Sequence, residues 1–143
     1  SSCYGYGHCS DREGKMEIGM GQHGEGGGGL TEMKTADETA AIMIDALLRD
    51  LDIKKGEKLL VIVNGVGATT LMEQLIVFRK CCHYLAEKAG IEVVANIVGE
   101  VLTVQEMAGF QLLLPVWMMN CSNIGMHPAA PRIIKTKVIF LRR

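Results

Sequence analysis

Hydrophobic positions fall into distinct patterns along this chain, and each predicts an element. Ala40, Ile44, Leu47, Leu48 and Leu51 recur at helical spacing behind Thr35-Ala36-Asp37-Glu38. There Thr35 and Glu38 have the capping-box spacing that satisfies orphan amides at a helix start. Lys54-Lys55-Gly56 ends that helix. Leu59-Leu60-Val61-Ile62-Val63 is instead an unbroken apolar run, the pattern of a strand buried on both faces. It is predicted to stop at Asn64-Gly65-Val66-Gly67, which reads as a tight turn at the sheet edge. Thr70 to Glu73 is a second capping box, and Leu71, Leu75, Phe78, Cys82 and Leu85 give the expected apolar stripe of a helix closed by Gly90. Ile91 to Val98 is the next strand. Strand, helix and strand at these lengths predict a right-handed crossover with parallel pairing.

The flanking segments carry weaker signals. Residues 1–14 lack apolar periodicity and are expected to be poorly ordered. Lys15 to Gly21 is a short candidate strand ending at a glycine-rich loop. Gly99 to Ala108 holds a turn, and Gly109 to Leu114 reads as a strand returning hairpin-like onto the sheet. Asn120 to Pro131 is loop-like, and Ile133 to Leu141 alternates enough for a last edge strand. The expected fold class is therefore α/β, a mixed sheet with flanking helices in the order strand-helix-strand-helix-strand-strand. Residues 15–143 are expected to form a single domain. An apolar terminal strand exposed at the edge predicts self-association, hence a homo-oligomer.

Composition narrows the class. The 143 residues are 48% hydrophobic with a net charge of -1, enough apolar content for a sizeable core and no electrostatic case for nucleic acid or an anionic membrane. No apolar run has the length of a membrane span and no signal-peptide pattern opens the chain, so a soluble cytoplasmic location is expected. The first residue is not Met and the last segment stays apolar almost to Arg143, which reads as a fragment. Cys3, Cys9, Cys81, Cys82 and Cys121 are odd in number and contain no Cys-x-x-Cys pair, so reduced thiols are expected rather than a disulfide framework. Cys3, His8 and Cys9 match no zinc spacing, and no metal site is expected. Cys81 and Cys82 read as packing residues.

Candidate chemistry centres on His23, set in Gly19-Met20-Gly21-Gln22-His23-Gly24-Glu25 and followed by Gly26 to Gly29. With Gly21 and Gly24 beside it, the imidazole is open to close approach by a small ligand. Histidine also keeps a large neutral, nucleophilic fraction near neutral pH. A flexible glycine loop holding a surface histidine is the plainer reading. Asn64 to Thr70, between strand and helix, has the placement of an anion site, but it lacks a Walker lysine and the third glycine of a dinucleotide fingerprint. Glu25 and Asn64 could orient His23 or line its pocket, although structural hydrogen bonding is the simpler role. His8, His83 and His127 lack a glycine cradle. Trp117, Met118 and Met119 read as packing residues.

Several segments taken in order resemble the dihydroxyacetone kinase family. Met16 to Glu25 is similar to the Gly-x-Gly-x-His-Gly-Glu signature in the carboxy-terminal half of its substrate-binding domain. Thr35-Ala36-Asp37-Glu38, Val63 to Thr69, Leu71-Met72-Glu73, Val98-Gly99-Glu100 through Thr103, and Glu106 to Phe110 also match. The resemblance covers about residues 15–114 and fades after Trp117.

The resemblance implies that His23 adds to the ketone of dihydroxyacetone as a covalent hemiaminal, with Gly21 and Gly24 lining the substrate site. It implies that the captured substrate is phosphorylated to dihydroxyacetone phosphate. The donor, ATP with magnesium or a phosphoprotein, is expected on a separate nucleotide-binding domain or subunit. No cofactor is expected in this chain. Two positions depart from the family pattern. Gly26 stands where proline is usual, loosening the loop, and Gln22 stands where an aliphatic residue is usual. Three classes of function follow: the carbonyl-capturing portion of a kinase, a non-catalytic regulatory or ligand-sensing paralogue, and a generic α/β binding domain.

Overall fold

Both capping boxes form, and they fix where the helices begin. The structure is a computed structural model whose described residues are 14–19, 29–103, 107–118, 132–133 and 138–142. Strand β1 (Lys15–Ile18) pairs antiparallel with β2 (Leu30–Glu32), a short strand that the sequence pattern did not predict. Helix α1 (Ala36–Leu51) follows, with the Thr35 hydroxyl accepting from the Glu38 amide at 3.2 Å and the Glu38 carboxylate accepting from the Thr35 amide at 2.9 Å. That amide is the main cause of a Glu38 carboxyl pKa below its ordinary value. The helix stops one residue after Leu51, at Asp52 in the left-handed region with φ 47°, ahead of the Lys54-Lys55-Gly56 break.

Strand β3 (Lys58–Gly67) is ten residues long. It runs straight through Asn64-Gly65-Val66-Gly67, which corrects the expectation of a turn there, because those residues pair in register with the antiparallel strand β5 described below. Helix α2 (Leu71–Tyr84) starts at the second capping box and continues as a π-helical turn, Leu85–Ala89, that Gly90 closes at φ 61°. Strand β4 (Glu92–Gly99) pairs parallel with β3, as the strand-helix-strand spacing predicts. Strands β5 (Ala108–Leu113) and β6 (Val116–Met118) lie antiparallel along the other edge of β3, joined through Leu114 and Pro115. The short β7 (Arg132–Ile133) pairs with β6, and β8 (Val138–Arg142) lies between β1 and β5. The last strand is therefore interior and not an edge, because strand order is a long-range property that local alternation does not encode. The sheet reads β2-β1-β8-β5-β3-β4, with β6 and β7 extending it beside the start of β3.

One face of the sheet carries the core. Leu59, Val61 and Val63 from β3, with Phe110 and Leu112 from β5, pack with Met43, Ile44 and Leu47 of α1 and Val77 and Cys81 of α2. Helix α1 buries the predicted Ala40, Ile44, Leu47 and Leu51, adding Met43. Of the predicted stripe, helix α2 and its π-helical turn bury Leu85 and pack Phe78 partly buried against the core, but the first half of the helix departs from it. The helix turns Gln74, Val77 and Cys81 inward and leaves Leu71 and Leu75 exposed. This helix is apolar on more than one side, so periodicity alone could not choose its buried face. Across the helix pair, Arg79 donates to Asp37 at 2.7 Å and the Tyr84 hydroxyl donates to Asp45 at 2.9 Å. Both contacts are solvent-exposed and contribute little.

Candidate functional site

His23, Gly21 and Gly24 lie outside the described residues, as do Glu25, Cys3, His8, Cys9, Cys121 and His127. The stem that carries His23 is described. Gly19 and Gly29 flank the loop with φ of 86° and 88°, left-handed values that favour glycine at the points where the chain leaves and rejoins the hairpin. The stem is also placed within the sheet. Ile18 pairs with Leu141, Leu141 with Phe110, and Phe110 with Gly65, so one row crosses β1, β8, β5 and β3. Three interstrand steps of about 4.8 Å separate the row's ends, so the His23 loop departs about 14 Å from Gly65.

Asn64, one residue before Gly65 on β3, is 3% exposed and fully hydrogen-bonded. Its Nδ2 donates to the Leu102 carbonyl at 2.7 Å and to Gln111 Oε1 at 2.9 Å. Its Oδ1 accepts from the Val101 and Leu102 amides at 2.7 and 3.0 Å. Only one orientation of the amide satisfies all four groups. The Gly67 amide donates to the Thr103 hydroxyl at 2.9 Å, and the Ala68 amide to the Met107 carbonyl at 2.8 Å. Asn64 thus holds the chain after β4 against the ends of β3 and β5. The structural role is the one the structure displays.

The anion site read at Asn64 to Thr70 is filled from within. The Thr70 amide and hydroxyl both donate to the Glu73 carboxylate, at 2.8 and 2.9 Å, and the Thr70 hydroxyl accepts from the Glu73 amide at 3.4 Å. A carboxylate therefore sits at the helix N-terminus, where a phosphate would otherwise bind. Gly65 has a different task. A Cβ there would overlap the side-chain amide of Gln74, which is 1% exposed and donates to the Thr69 carbonyl at 3.1 Å. Sequence reasoning missed Gln74 and Gln111 as buried partners. For Gln74 the available signal was glycine inside a strand pattern, which marks close approach of another group.

A cleft of about 130 Å³ opens between β1, β5 and the amino-terminal ends of both helices, lined by residues that include Met16, Met33, Thr39, Thr69, Ile76 and Phe110. Its walls are mainly apolar. The Thr69 hydroxyl and Gln74 Oε1 are buried without a hydrogen-bond partner among the described residues. Cys81 is buried and its thiol is pushed up to about 12 by burial, with the neighbouring Cys82 adding to the shift. Cys82 is half-buried and raised for the same first reason. Burial and the raised thiols fit the packing role read for both. His83 is exposed on α2. Trp117 and Met118 lie on β6, with Trp117 opposite Lys58. Among the described residues no group of three His, Cys, Asp or Glu side chains could hold a metal ion, and no helix is long and apolar enough to cross a membrane.

The chain is similar to known proteins over most of its length. A family model described as the Dak1 domain matches residues 7–129. The dihydroxyacetone-binding subunit DhaK of PTS-dependent dihydroxyacetone kinase 2 from Listeria innocua serovar 6a is 34% identical over 103 residues, covering 72% of this chain and 31% of its own length. The L-erythrulose kinase of Pectobacterium atrosepticum is 37% identical over 106 residues, covering 71% of this chain and 18% of its own length. Among solved structures, the dihydroxyacetone kinase operon co-activator Dha-DhaQ superposes with a TM-score of 0.65 at 27% identity, over 71% of this chain and 32% of the co-activator. The chain thus spans no more than about a third of the length of these relatives.

Proposed function

Because this chain belongs to the Dak1 domain family, we propose that it is the substrate-binding portion of a dihydroxyacetone kinase, with His23 as the residue that captures the ketone. The supporting observation is the family match over residues 7–129, which contains the His23 motif, together with the kinship to dihydroxyacetone-binding subunits. In the proposed step the unprotonated ring nitrogen of His23 adds to the carbonyl carbon of dihydroxyacetone. The carbonyl π pair moves to oxygen, the second ring nitrogen releases its proton, and the oxygen ends as a hydroxyl. The adduct keeps the full mass of both partners. Gly21 and Gly24 leave the approach to the ring free of side chains, and glycerol is rejected because it offers no carbonyl.

The bound substrate then presents a terminal hydroxyl to a phosphoryl donor carried on a separate domain or subunit, either ATP with magnesium or a phosphoprotein. Positioning in line supplies most of the catalysis in such a transfer, and the product is dihydroxyacetone phosphate. Capping of α2 by Glu73, which fills the helix N-terminus nearest the Asn64-Gly65 segment, fits a chain that leaves the donor to another domain.

A second reading is favoured by the likeness to an operon co-activator at 27% identity and by Gly26 in place of the usual proline. In it the chain captures a small ketone as a signal and transfers no phosphate. Supplying the nucleotide-binding subunit of a PTS-dependent relative with its donor separates the two. Formation of dihydroxyacetone phosphate that is lost in His23→Ala supports the kinase. Substrate capture without transfer supports the sensor, and neither event in the wild-type chain rejects both.

A further inference from the structure

We draw no further inference here: the strongest candidate, the mainly apolar cleft between β1, β5 and the amino-terminal ends of α1 and α2, carries nothing, because the unpartnered Thr69 hydroxyl in its wall is too buried to offer a ligand a contact and nothing in the structure shows what covers it.

Discussion

Removing the Asn64 side chain tests whether one buried amide holds the chain after β4 in place. Asn64→Ala deletes four hydrogen bonds. The partner Gln111 is 7% exposed, and leaving its Oε1 unpaired costs about 1–3 kcal/mol. The three backbone groups of Val101 and Leu102 are partly solvated, so water replaces most of what they lose, at about 0.5 kcal/mol each. The sum is about 3 kcal/mol, a large share of the stability of a small domain. Urea denaturation reads the total, and amide hydrogen exchange at Val101 and Leu102 reads the local part. Exchange there should be slow in the wild-type chain and at least about tenfold faster in Asn64→Ala. Asn64→Asp separates the two effects, because a carboxylate still accepts from both amides but cannot donate to Leu102 or Gln111. It should keep the amide protection and still lose stability. A loss below 1 kcal/mol with unchanged exchange would refute the reasoning.

Three further outcomes follow from the same geometry. Gly65→Ala forces a Cβ into the Gln74 amide and should cost about 2 kcal/mol by overpacking, while Gly65→Ala combined with Gln74→Ala should recover part of that loss in the same denaturation assay. Cys81 ionises near pH 9 when unfolded but is pushed up to about 12 when folded. Between those values the unfolded chain sheds a proton that the folded chain keeps, so stability should fall as pH rises above 9, approaching about 1.4 kcal/mol per unit from this group. Cys81→Ala should flatten that slope in urea titrations at pH 8, 9 and 10, although Cys82 and Tyr84, also raised, leave a residual. Thr35→Ala removes the cap of α1 and should cost about 1 kcal/mol, seen as a lower thermal midpoint.

The parts of the fold that were legible in the sequence are those set by neighbours in the chain. Thr35 with Glu38 and Thr70 with Glu73 located both helix starts because a capping box is a three-residue device. The apolar run from Leu59 located the central strand, and the spacing to Ile91 gave its parallel partner. The errors fall where distant residues decide. Asn64-Gly65-Val66-Gly67 has turn composition, yet it stays extended because β5 pairs along it and Gln74 occupies the space over Gly65. The buried side of the first half of α2 was misplaced because Gln74 points inward while Leu71 and Leu75 do not, whereas Leu85 further on is buried as the stripe predicts. The last strand was placed at an edge, and only its pairing with both β1 and β5 sets it inside. Of the candidate site, the glycine-rich segment around His23 was visible as composition, and the structure adds the left-handed Gly19 and Gly29 on either side of it. Gln111, the partner that completes the Asn64 network, carries no local signal at all.

The central claim is that His23 captures a ketone, and intact-mass spectrometry of the chain incubated with dihydroxyacetone tests it most directly. An adduct of one full substrate mass, absent with glycerol and absent in His23→Ala, is the predicted result. An unmodified wild-type chain, measured both alone and with the rest of a Dak1 chain supplied, or an adduct that persists in His23→Ala, would contradict it.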